Sequence, residues 1–399
     1  MSRIRTHDRP KALRVLVVID ALGEGGTERS LAELVPGLRG QGINISVAIL
    51  KSRGEEGVEG RLRQDGVDIR VLPSGFSRFR ALRLLVEELR PDIVHSMLFA
   101  ADQTTRLASL GWSSVVLTSL VNTSYSPARY ATPGTKKYKM RLVQLVDGVT
   151  GRLFVDWFHA VSAAVARDAV DNLRVPAARL RVVNRGRVDP RMTLPPEAGR
   201  TVRGELGIGT DQLLIINVGR QEYQKDHATL IAAVAPLLAR RTNAYLVLVG
   251  RQGNATQTLD RALSPLAPDV RRRVLLLGHR ADVAALLAAA DVFVMTARYE
   301  GLPGVVIEAM AAGLPVVASD IDPVHEVVEP ERSALLAAPG DVAGFASALE
   351  TLLGDASLRA DLGVRGRSLF EERFTIDAAV EGMAALYHSV ATVTPTVLK

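Results

Sequence analysis

The chain contains no cysteine. This absence excludes disulfides, zinc sites built on thiolates, iron–sulfur clusters and cysteine nucleophiles. A protein without disulfides suits a reducing compartment, and we expect this one in the cytoplasm. No stretch of 18 or more residues is uniformly apolar, so no membrane-spanning helix is predicted. Residues 1–11 are rich in arginine and lack an apolar segment, which does not fit a secretory signal.

Aromatic residues make up only 5% of the 399 residues, whereas hydrophobic residues make up 47% and charged residues 23%. This composition is that of a globular protein, and the length predicts two domains. The charge is uneven: residues 1–190 carry 29 Lys and Arg against 19 Asp and Glu, whereas 191–399 carry 20 against 24. We therefore expect the two halves to meet different partners.

Apolar β-branched runs alternate with helix-period stretches along most of the chain. The alternation starts at Leu13–Ile19, stops in the segment 187–200, which contains three prolines, and restarts at Leu213–Val218. Such runs are typical of parallel strands covered by helices on both faces. We predict an α/β protein with two Rossmann-like, doubly wound domains, residues 1–190 and 191–375.

A glycine-rich turn follows the first strand and begins like a dinucleotide-binding fingerprint. Gly23 and Gly25 match its start, but Glu28 stands in place of the third glycine, and the next strand ends in Leu50-Lys51 instead of an acidic residue. A nicotinamide cofactor is therefore not predicted. The turn is either a plain strand–helix connection or a loop whose N–H groups approach a phosphate or sugar.

A second strand, ending at Val218-Gly219, is followed by Arg220 and Lys225 just before a helical stretch at 226–239. The glycine allows the backbone to turn. Two cations at a helix N-terminus suit the charge of a diphosphate. An ordinary solvated surface loop is the alternative.

The third feature is an almost wholly apolar helix predicted over Val305–Ala312, with Gly313 as its C-terminal cap. Glu308 interrupts the apolar pattern. A buried carboxylate needs hydrogen-bond donors, and ribose hydroxyls are suitable ones, whereas the alternative is a solvated stripe. Glu300, eight residues earlier, is predicted to reach another part of the same ligand, and the amides of Gly304 and Val305 are predicted to face phosphates.

Glu300 and Glu308, with Arg220 and Lys225 upstream and the loop Gly25–Arg29, resemble the retaining GT-B-fold glycosyltransferases of family 4, which include bacterial mannosyltransferases. The resemblance extends over nearly the whole chain. It implies two domains facing each other across a cleft, with the acceptor on the first and the nucleotide sugar on the second. The C-terminal helix, about 376–399, would pack back on the first domain.

The resemblance also implies a role for each matching residue. Arg220 and Lys225 would hold the donor diphosphate, and Glu300 would contact hydroxyls of the transferred sugar. Together these three form the implied catalytic set. The implied donor-binding residues are Gly25, Gly26, Gly219, Gly304, Val305, Val306 and the ribose contact Glu308. The family retains the anomeric configuration without a required metal or other cofactor, and the leaving diphosphate helps to deprotonate the acceptor.

Three positions depart from the family pattern. Val121 stands where relatives often have a histidine that contacts the donor sugar, and Asn122 beside it is a candidate substitute. Relatives often have a His-x-His pair after the fourth strand. His95 matches the first histidine and is a candidate acceptor or sugar contact, whereas Met97 replaces the second. Asn184-Arg185-Gly186-Arg187 replaces a frequent Asn-Gly. These changes affect the donor-sugar and acceptor assignments.

The string Asp320-Ile321-Asp322 is of the D-x-D type that holds a metal in other transferases. It falls where the family has an aspartate followed by two glycines, and the seven histidines are dispersed. We therefore predict no metal site.

Two basic stretches of the first domain mix cations with apolar residues at near-helical spacing. The first contains Arg78, Arg80 and Arg83, and the second contains Lys136 and Lys137. Such stretches dock on anionic lipid, whereas the alternative is a solvated face whose apolar side packs inward. Because many relatives act on lipid-linked acceptors, we expect these residues to face the membrane. No nucleic-acid partner is expected.

The main hypothesis is the retaining transfer of a sugar from a nucleotide diphosphate sugar, with UDP favoured over GDP. The acceptor would be a glycan, a glycolipid or a small molecule in cell-envelope or polysaccharide biosynthesis. A nucleotide-sugar epimerase of the same fold and a non-catalytic nucleotide-sugar-binding protein are the alternatives.

Overall fold

The structure is a computed structural model that describes residues 12–54 and 57–392. The strands are β1 Arg14–Ile19, β2 Asn44–Ile49, β3 Asp68–Val71, β4 Ile93–Met97, β5 Val115–Leu120, β6 Trp157–Ala160, β7 Leu180–Val182, β8 Leu213–Val218, β9 Ala244–Val249, β10 Val274–Gly278, β11 Val292–Met295, β12 Val316–Ser319 and β13 Ala334–Ala337.

The helices alternate with these strands. They are α1 Gly26–Gly40, α2 Gly57–Gln64, α3 Ser77–Leu89, α4 Phe99–Ala108, α5 Pro127–Tyr130, α6 Lys137–Phe154, α7 Ala163–Leu173, α8 Ala198–Leu206, α9 His227–Arg240, α10 Thr256–Leu263, α11 Pro268–Arg272, α12 Val283–Ala289, α13 Gly304–Ala311, α14 Asp322–His325, α15 Val342–Gly354, α16 Ala356–Arg373 and α17 Ile376–Ala391.

The described strands form two sheets in which neighbouring strands pair in parallel. The first sheet has the order β3-β2-β1-β4-β5-β6-β7, and the second has the order β10-β9-β8-β11-β12-β13. Apolar side chains pack on both faces of each sheet, which explains the β-branched runs in the sequence. The predicted fold class, two doubly wound α/β domains, is confirmed. The domain around the first sheet is called the first domain below, and the other the second domain.

The strand order reverses between β1 and β4 in the first sheet and between β8 and β11 in the second. Ligands of such sheets bind at the carboxyl ends of the strands beside this reversal. Loops from these two edges touch: the Thr123 hydroxyl donates to the Glu300 carbonyl at 3.1 Å, and the Ser162 hydroxyl donates to the Gly301 carbonyl at 2.7 Å. The two edges therefore enclose a common cleft.

The last helix returns to the first domain. The amide of Arg187 donates to the Phe374 carbonyl at 2.8 Å, and the amide of Ile376 donates to the Arg187 carbonyl at 2.9 Å. From this crossing α17 packs its apolar face on α1 and on the first sheet. Within residues 12–54 and 57–392, no helix combines the length and apolar character needed to cross a membrane.

Candidate active site

A cavity of about 860 Å³ lies in the cleft and draws its walls from both domains. Most of the predicted site residues line it. They are Gly25, Gly26, Asn122, Gly219, Arg220, Lys225, Glu300, Gly304, Val305 and Glu308.

Lys225 and Glu300 meet in this cavity, with 2.5 Å between the Lys225 Nζ and Glu300 Oε1 atoms. Lys225 lies in the turn after β8, and Glu300 follows β11, the neighbouring strand of the second sheet. Adjacent parallel strands thus bring together two residues 75 positions apart. Both side chains are largely buried, which makes their mutual attraction stronger than at a surface.

Arg220 lies at the same edge but is far more open. Its side chain is 52% exposed, and its Nη1 atom lies 3.6 Å from Glu222 Oε1. The backbone before it passes close to Gly250, where a Cβ would lie 2.0 Å from the Gly219 carbonyl oxygen. The side chain of Arg220 is therefore open to an anion that enters the cavity, while the backbone before it is confined.

Glu308 is held by two arginines to which the sequence patterns assigned no role. Its Oε1 atom accepts a hydrogen bond from Arg187 Nε at 2.7 Å and lies 3.3 Å from Arg29 Nη2. Glu33 completes the cluster, with 3.6 Å between its carboxylate and Arg187, and burial raises its pKa. The donors that a buried Glu308 requires are thus present within the protein.

Helix α13 begins at Gly304, near the predicted start, and Arg187 packs closely against this glycine. A Cβ at this position would lie 2.1 Å from Arg187 Nη2. The glycine allows the Arg187 guanidinium to reach Glu308 along the first turn of the helix. The predicted cap is also present, since Gly313 adopts a φ of +77° directly after the helix end.

Two family models match the chain. The model described as "Glycosyltransferase Family 4" matches residues 24–189, and the model described as "Glycosyl transferases group 1" matches residues 212–355. The chain belongs to the GT-B glycosyltransferases of the family 4 type.

Relatives of this glycosyltransferase include the D-inositol 3-phosphate glycosyltransferase of Acidothermus cellulolyticus. It is 28% identical over 91% of this chain and 85% of that protein. The lipopolysaccharide core biosynthesis glycosyltransferase LpsE of Rhizobium meliloti is 33% identical over 48% of this chain and 55% of its own length. The chain thus spans only about half the length of several relatives that it matches.

Solved structures share the architecture. HepE of Anabaena in complex with UDP-glucose has a TM-score of 0.83 at 20% identity, covering 94% of this chain and 100% of that chain. WaaG, a glycosyltransferase involved in lipopolysaccharide biosynthesis, has a TM-score of 0.74 at 17% identity, covering 94% and 99%. These likenesses show that the glycosyltransferase has the GT-B fold.

His95 does not reach the cleft of this glycosyltransferase, which corrects its assignment as a sugar or acceptor contact. It is fully buried in β4, with Nδ1 2.7 Å from the Tyr387 hydroxyl and Nε2 2.7 Å from Ser119 Oγ. Burial and the neighbouring His159 hold its pKa well below the ordinary range. His95 is a neutral core residue that anchors α17 to the first sheet.

Val306 is corrected as well. Its side chain is fully buried in the core, and its amide donates to the Pro303 carbonyl at 3.0 Å. Because this donor is engaged within the loop, it does not face a phosphate. Gly304 and Val305, by contrast, line the cavity.

Arg185 is a cleft residue that the sequence motifs indicate only as a departure from the family pattern. Its Nη2 atom lies 3.4 Å from Thr27 Oγ1 and 3.4 Å from the Val121 carbonyl oxygen. Burial, followed by repulsion from Arg187, lowers its pKa to about 10. A signal was present in the sequence, because the segment 184–187 carries two arginines where the family pattern frequently has Asn-Gly.

The basic stretches lie on α3 and α6. The prediction that Arg83 faces the membrane is wrong. Its Nη1 atom donates to the carbonyls of Ala108 at 2.8 Å and Leu110 at 2.6 Å, at the end of α4. Arg80, Lys136 and Lys137 are exposed, whereas Arg78 is partly buried.

The carboxylates of the D-x-D string point to different partners. Asp320 lies 2.5 Å from His325, and Asp322 lies 3.0 Å from Arg167. In the part of the chain that the structure describes, no group of three or more His, Asp or Glu residues is arranged to hold a metal ion.

Proposed function

We propose that this glycosyltransferase moves a sugar from a nucleotide diphosphate sugar, with UDP favoured over GDP, to a glycan, a glycolipid or a small acceptor. The observation that carries the proposal is the convergence of Arg220, Lys225 and Glu300 in one cavity between the two domains. Such a site offers cations for a diphosphate and a carboxylate for sugar hydroxyls.

The proposed reaction retains the anomeric configuration and needs no metal. The acceptor hydroxyl attacks the anomeric carbon on the face from which the diphosphate leaves, and its proton passes to a diphosphate oxygen. Arg220, Lys225 and the N-terminal turn of α13 offset the negative charge that grows on the leaving group. Glu300 positions the transferred sugar by accepting hydrogen bonds from its hydroxyls.

The relatives support both the nucleotide and a role in the cell envelope. HepE binds UDP and UDP-glucose in solved structures, and LpsE and WaaG are named for lipopolysaccharide biosynthesis. A related mannosyltransferase of Corynebacterium glutamicum is GDP-mannose-dependent, so GDP sugars form the second arm of the test.

We further propose that the first domain docks on an anionic membrane from the cytoplasmic side. Helix α6 exposes Tyr138 by 67%, Leu142 by 61% and Leu145 by 61%, beside the exposed Lys136 and Lys137. Side chains that large are seldom left in water as a contiguous helix face. Apolar insertion flanked by lysines is the usual pattern of a peripheral membrane helix.

The experiment that tests the proposed chemistry is turnover of UDP and GDP sugars, followed by separation of free nucleotide, transferred sugar and epimerised donor. Lys225→Ala is expected to lower kcat about 100- to 1,000-fold, because it removes charge stabilisation of the leaving group. Glu300→Ala is expected to lower kcat/KM for the sugar nucleotide without weakening UDP binding, because Lys225 remains available to the diphosphate.

Glu381→Ala, at an exposed position on α17, is the control for Glu300→Ala and should match the wild type. No turnover and no thermal stabilisation by any sugar nucleotide would refute the proposal. An epimerised donor without transfer would identify an epimerase instead.

A further inference from the structure

The cations of the cleft differ in whether a carboxylate neutralises them. Lys225 pairs with Glu300 at 2.5 Å, Arg187 pairs with Glu308 at 2.7 Å, and Arg280 pairs with Asp282 at 2.5 Å. Arg185 has no ion pair with any carboxylate among the residues that the structure describes. Its contacts are two long ones, at 3.4 Å, to the Thr27 hydroxyl and the Val121 carbonyl.

An uncompensated guanidinium inside a cleft costs free energy, because it has lost water without gaining a counterion. The neighbouring Arg187 adds repulsion, while Glu300 and Glu28 attract Arg185 from beyond ion-pair distance. Since a guanidinium presents several donors in one plane, it can bind a carboxylate or phosphate through two parallel hydrogen bonds. The charge of Arg185 is thus available to an incoming anion.

The position of Arg185 separates it from the residues assigned to the diphosphate. Arg220 and Lys225 follow β8 in the second domain. Arg185 belongs to the first domain, where its Nη1 atom lies 3.6 Å from the place that a Cβ on Gly26 would occupy. A Cβ on Gly301, the residue after Glu300, would lie 2.1 Å from the Val121 carbonyl oxygen that Arg185 contacts. Arg185 therefore enters the cavity from the first domain, close to the loop that carries Glu300, the residue assigned to the sugar.

The backbone on both sides of Arg185 is confined, which restricts the direction in which the Arg185 side chain leaves the chain. A Cβ on Gly186 would lie 2.1 Å from the Thr375 carbonyl oxygen, and the Asn184 side chain donates to the Val161 carbonyl at 3.1 Å. Both neighbours are thereby tied to other parts of the fold. Donors that are already held in place give specificity, because binding then costs little side-chain conformational entropy.

We propose that Arg185 binds an acidic group, a carboxylate or a phosphate ester, on one of the two sugar substrates, and makes the enzyme selective for acidic sugars. The inference rests on the proposed glycosyl transfer and narrows its substrate class. The acidic group belongs either to the transferred sugar or to the acceptor, and in both cases it would pair with the Arg185 guanidinium.

The donor arm of the test compares UDP, UDP-glucose and UDP-glucuronate by calorimetric titration of the wild type and Arg185→Gln. If the transferred sugar carries the acid, the wild type binds UDP-glucuronate about 10- to 100-fold more tightly than UDP-glucose, and the variant loses this preference. UDP itself should bind both proteins equally. Arg61→Gln removes a charge from the same cavity wall and should leave the preference intact.

The acceptor arm uses protein saturated with UDP and titrates glucose, glucuronate and glucose 6-phosphate. If the acceptor carries the acid, the acidic sugars bind more tightly than glucose, and Arg185→Gln removes the difference. A preference in either arm supports the inference and identifies the source of the acid.

Two results would overturn the inference while the proposed function stands. In the first, the wild type binds UDP and UDP-glucose but prefers no acidic sugar in either arm. In the second, Arg185→Gln weakens UDP binding as much as UDP-glucuronate binding, which would make Arg185 a diphosphate contact. A wild type that binds no nucleotide at all would overturn both the proposed function and the inference.

Discussion

Asp102 is a buried carboxyl group in the first turn of α4, and its surroundings disfavour ionisation. Burial raises its pKa to about 7, although the neighbouring Arg106 and Ser96 act in the opposite direction. One of its oxygens, Oδ1, is buried with no hydrogen-bond partner in the structure. The ionised side chain is therefore a cost to folding at neutral pH.

We expect Asp102→Asn to change how stability depends on pH. Between the unfolded pKa of about 3.9 and the folded value, the folded chain holds a proton that the unfolded chain has lost, so stability falls as pH rises. Because asparagine does not titrate, the stability of the variant does not fall for this reason. Its unfolding free energy relative to the wild type should increase from pH 4 to pH 7, by up to about 4 kcal/mol, and then level off.

Urea denaturation at several pH values measures this difference. Asp361→Asn, at an exposed position of α16, is the control and should follow the wild type at every pH. Parallel profiles for Asp102→Asn and the wild type would show that Asp102 is not protonated in the folded state.

At the scale of elements, close backbone approaches distinguish glycines that the sequence presents as equivalent. Gly186 lies where the chain passes the start of α17, and a Cβ there would lie 2.1 Å from the Thr375 carbonyl oxygen. Gly204 lies on the exposed side of α8, with no atom within 4 Å of its added Cβ. The first glycine permits a crossing, whereas the second only lowers helix propensity.

Gly186→Ala and Gly204→Ala should therefore shift stability in opposite directions. Gly204→Ala is expected to stabilise the protein by up to about 1 kcal/mol, because alanine favours the helix. Gly186→Ala should destabilise it by more than about 1 kcal/mol, since a backbone oxygen cannot yield to the new methyl group. Thermal denaturation of both variants measures the shifts, and a neutral Gly186→Ala would contradict the crossing geometry.

At the scale of the whole molecule, the basic and acidic halves of the sequence become two sides of one cleft. The first domain, which carries the positive excess, also exposes the apolar face of α6. Helix α4 packs against both α3 and α6, so the two basic stretches belong to one side of the domain. This arrangement would let the first domain rest on lipid while the second domain closes over the donor.

We expect binding to vesicles of phosphatidylcholine and phosphatidylglycerol to depend on α6. Lys136→Ser with Lys137→Ser should weaken binding about 10- to 30-fold, since each cation near an anionic surface contributes about 1 kcal/mol. Leu142→Ser with Leu145→Ser should weaken it by removing apolar insertion. Sedimentation with vesicles measures both effects.

Arg261→Ser removes a charge from an exposed position of the second domain and serves as the control. Equal binding to neutral and anionic vesicles would argue against electrostatic docking. Unchanged binding of both α6 variants would place the membrane contact elsewhere or exclude it.

The sequence by itself determined the fold class and most of the residues that line the cleft on the second domain. Alternating apolar runs, the glycine turns after β1 and β8, and the cap at Gly313 are local signals, because strand burial and turn conformation depend on neighbouring residues. The same holds for Arg220, Lys225 and Glu300, which lie in loops directly after strands. Adjacent parallel strands bring such loops to one edge of a sheet.

Only the tertiary structure decided which polar residues face the cleft and which lie in the core. His95 is bound to Tyr387, 292 residues away, and Glu308 is bound to Arg187, 121 residues away. The return of α17 and the contact between domains create these pairs, and no periodicity in the sequence encodes them. Among the described residues Arg185 has no ion pair for the same reason, since the fold decides which side chains lie around it.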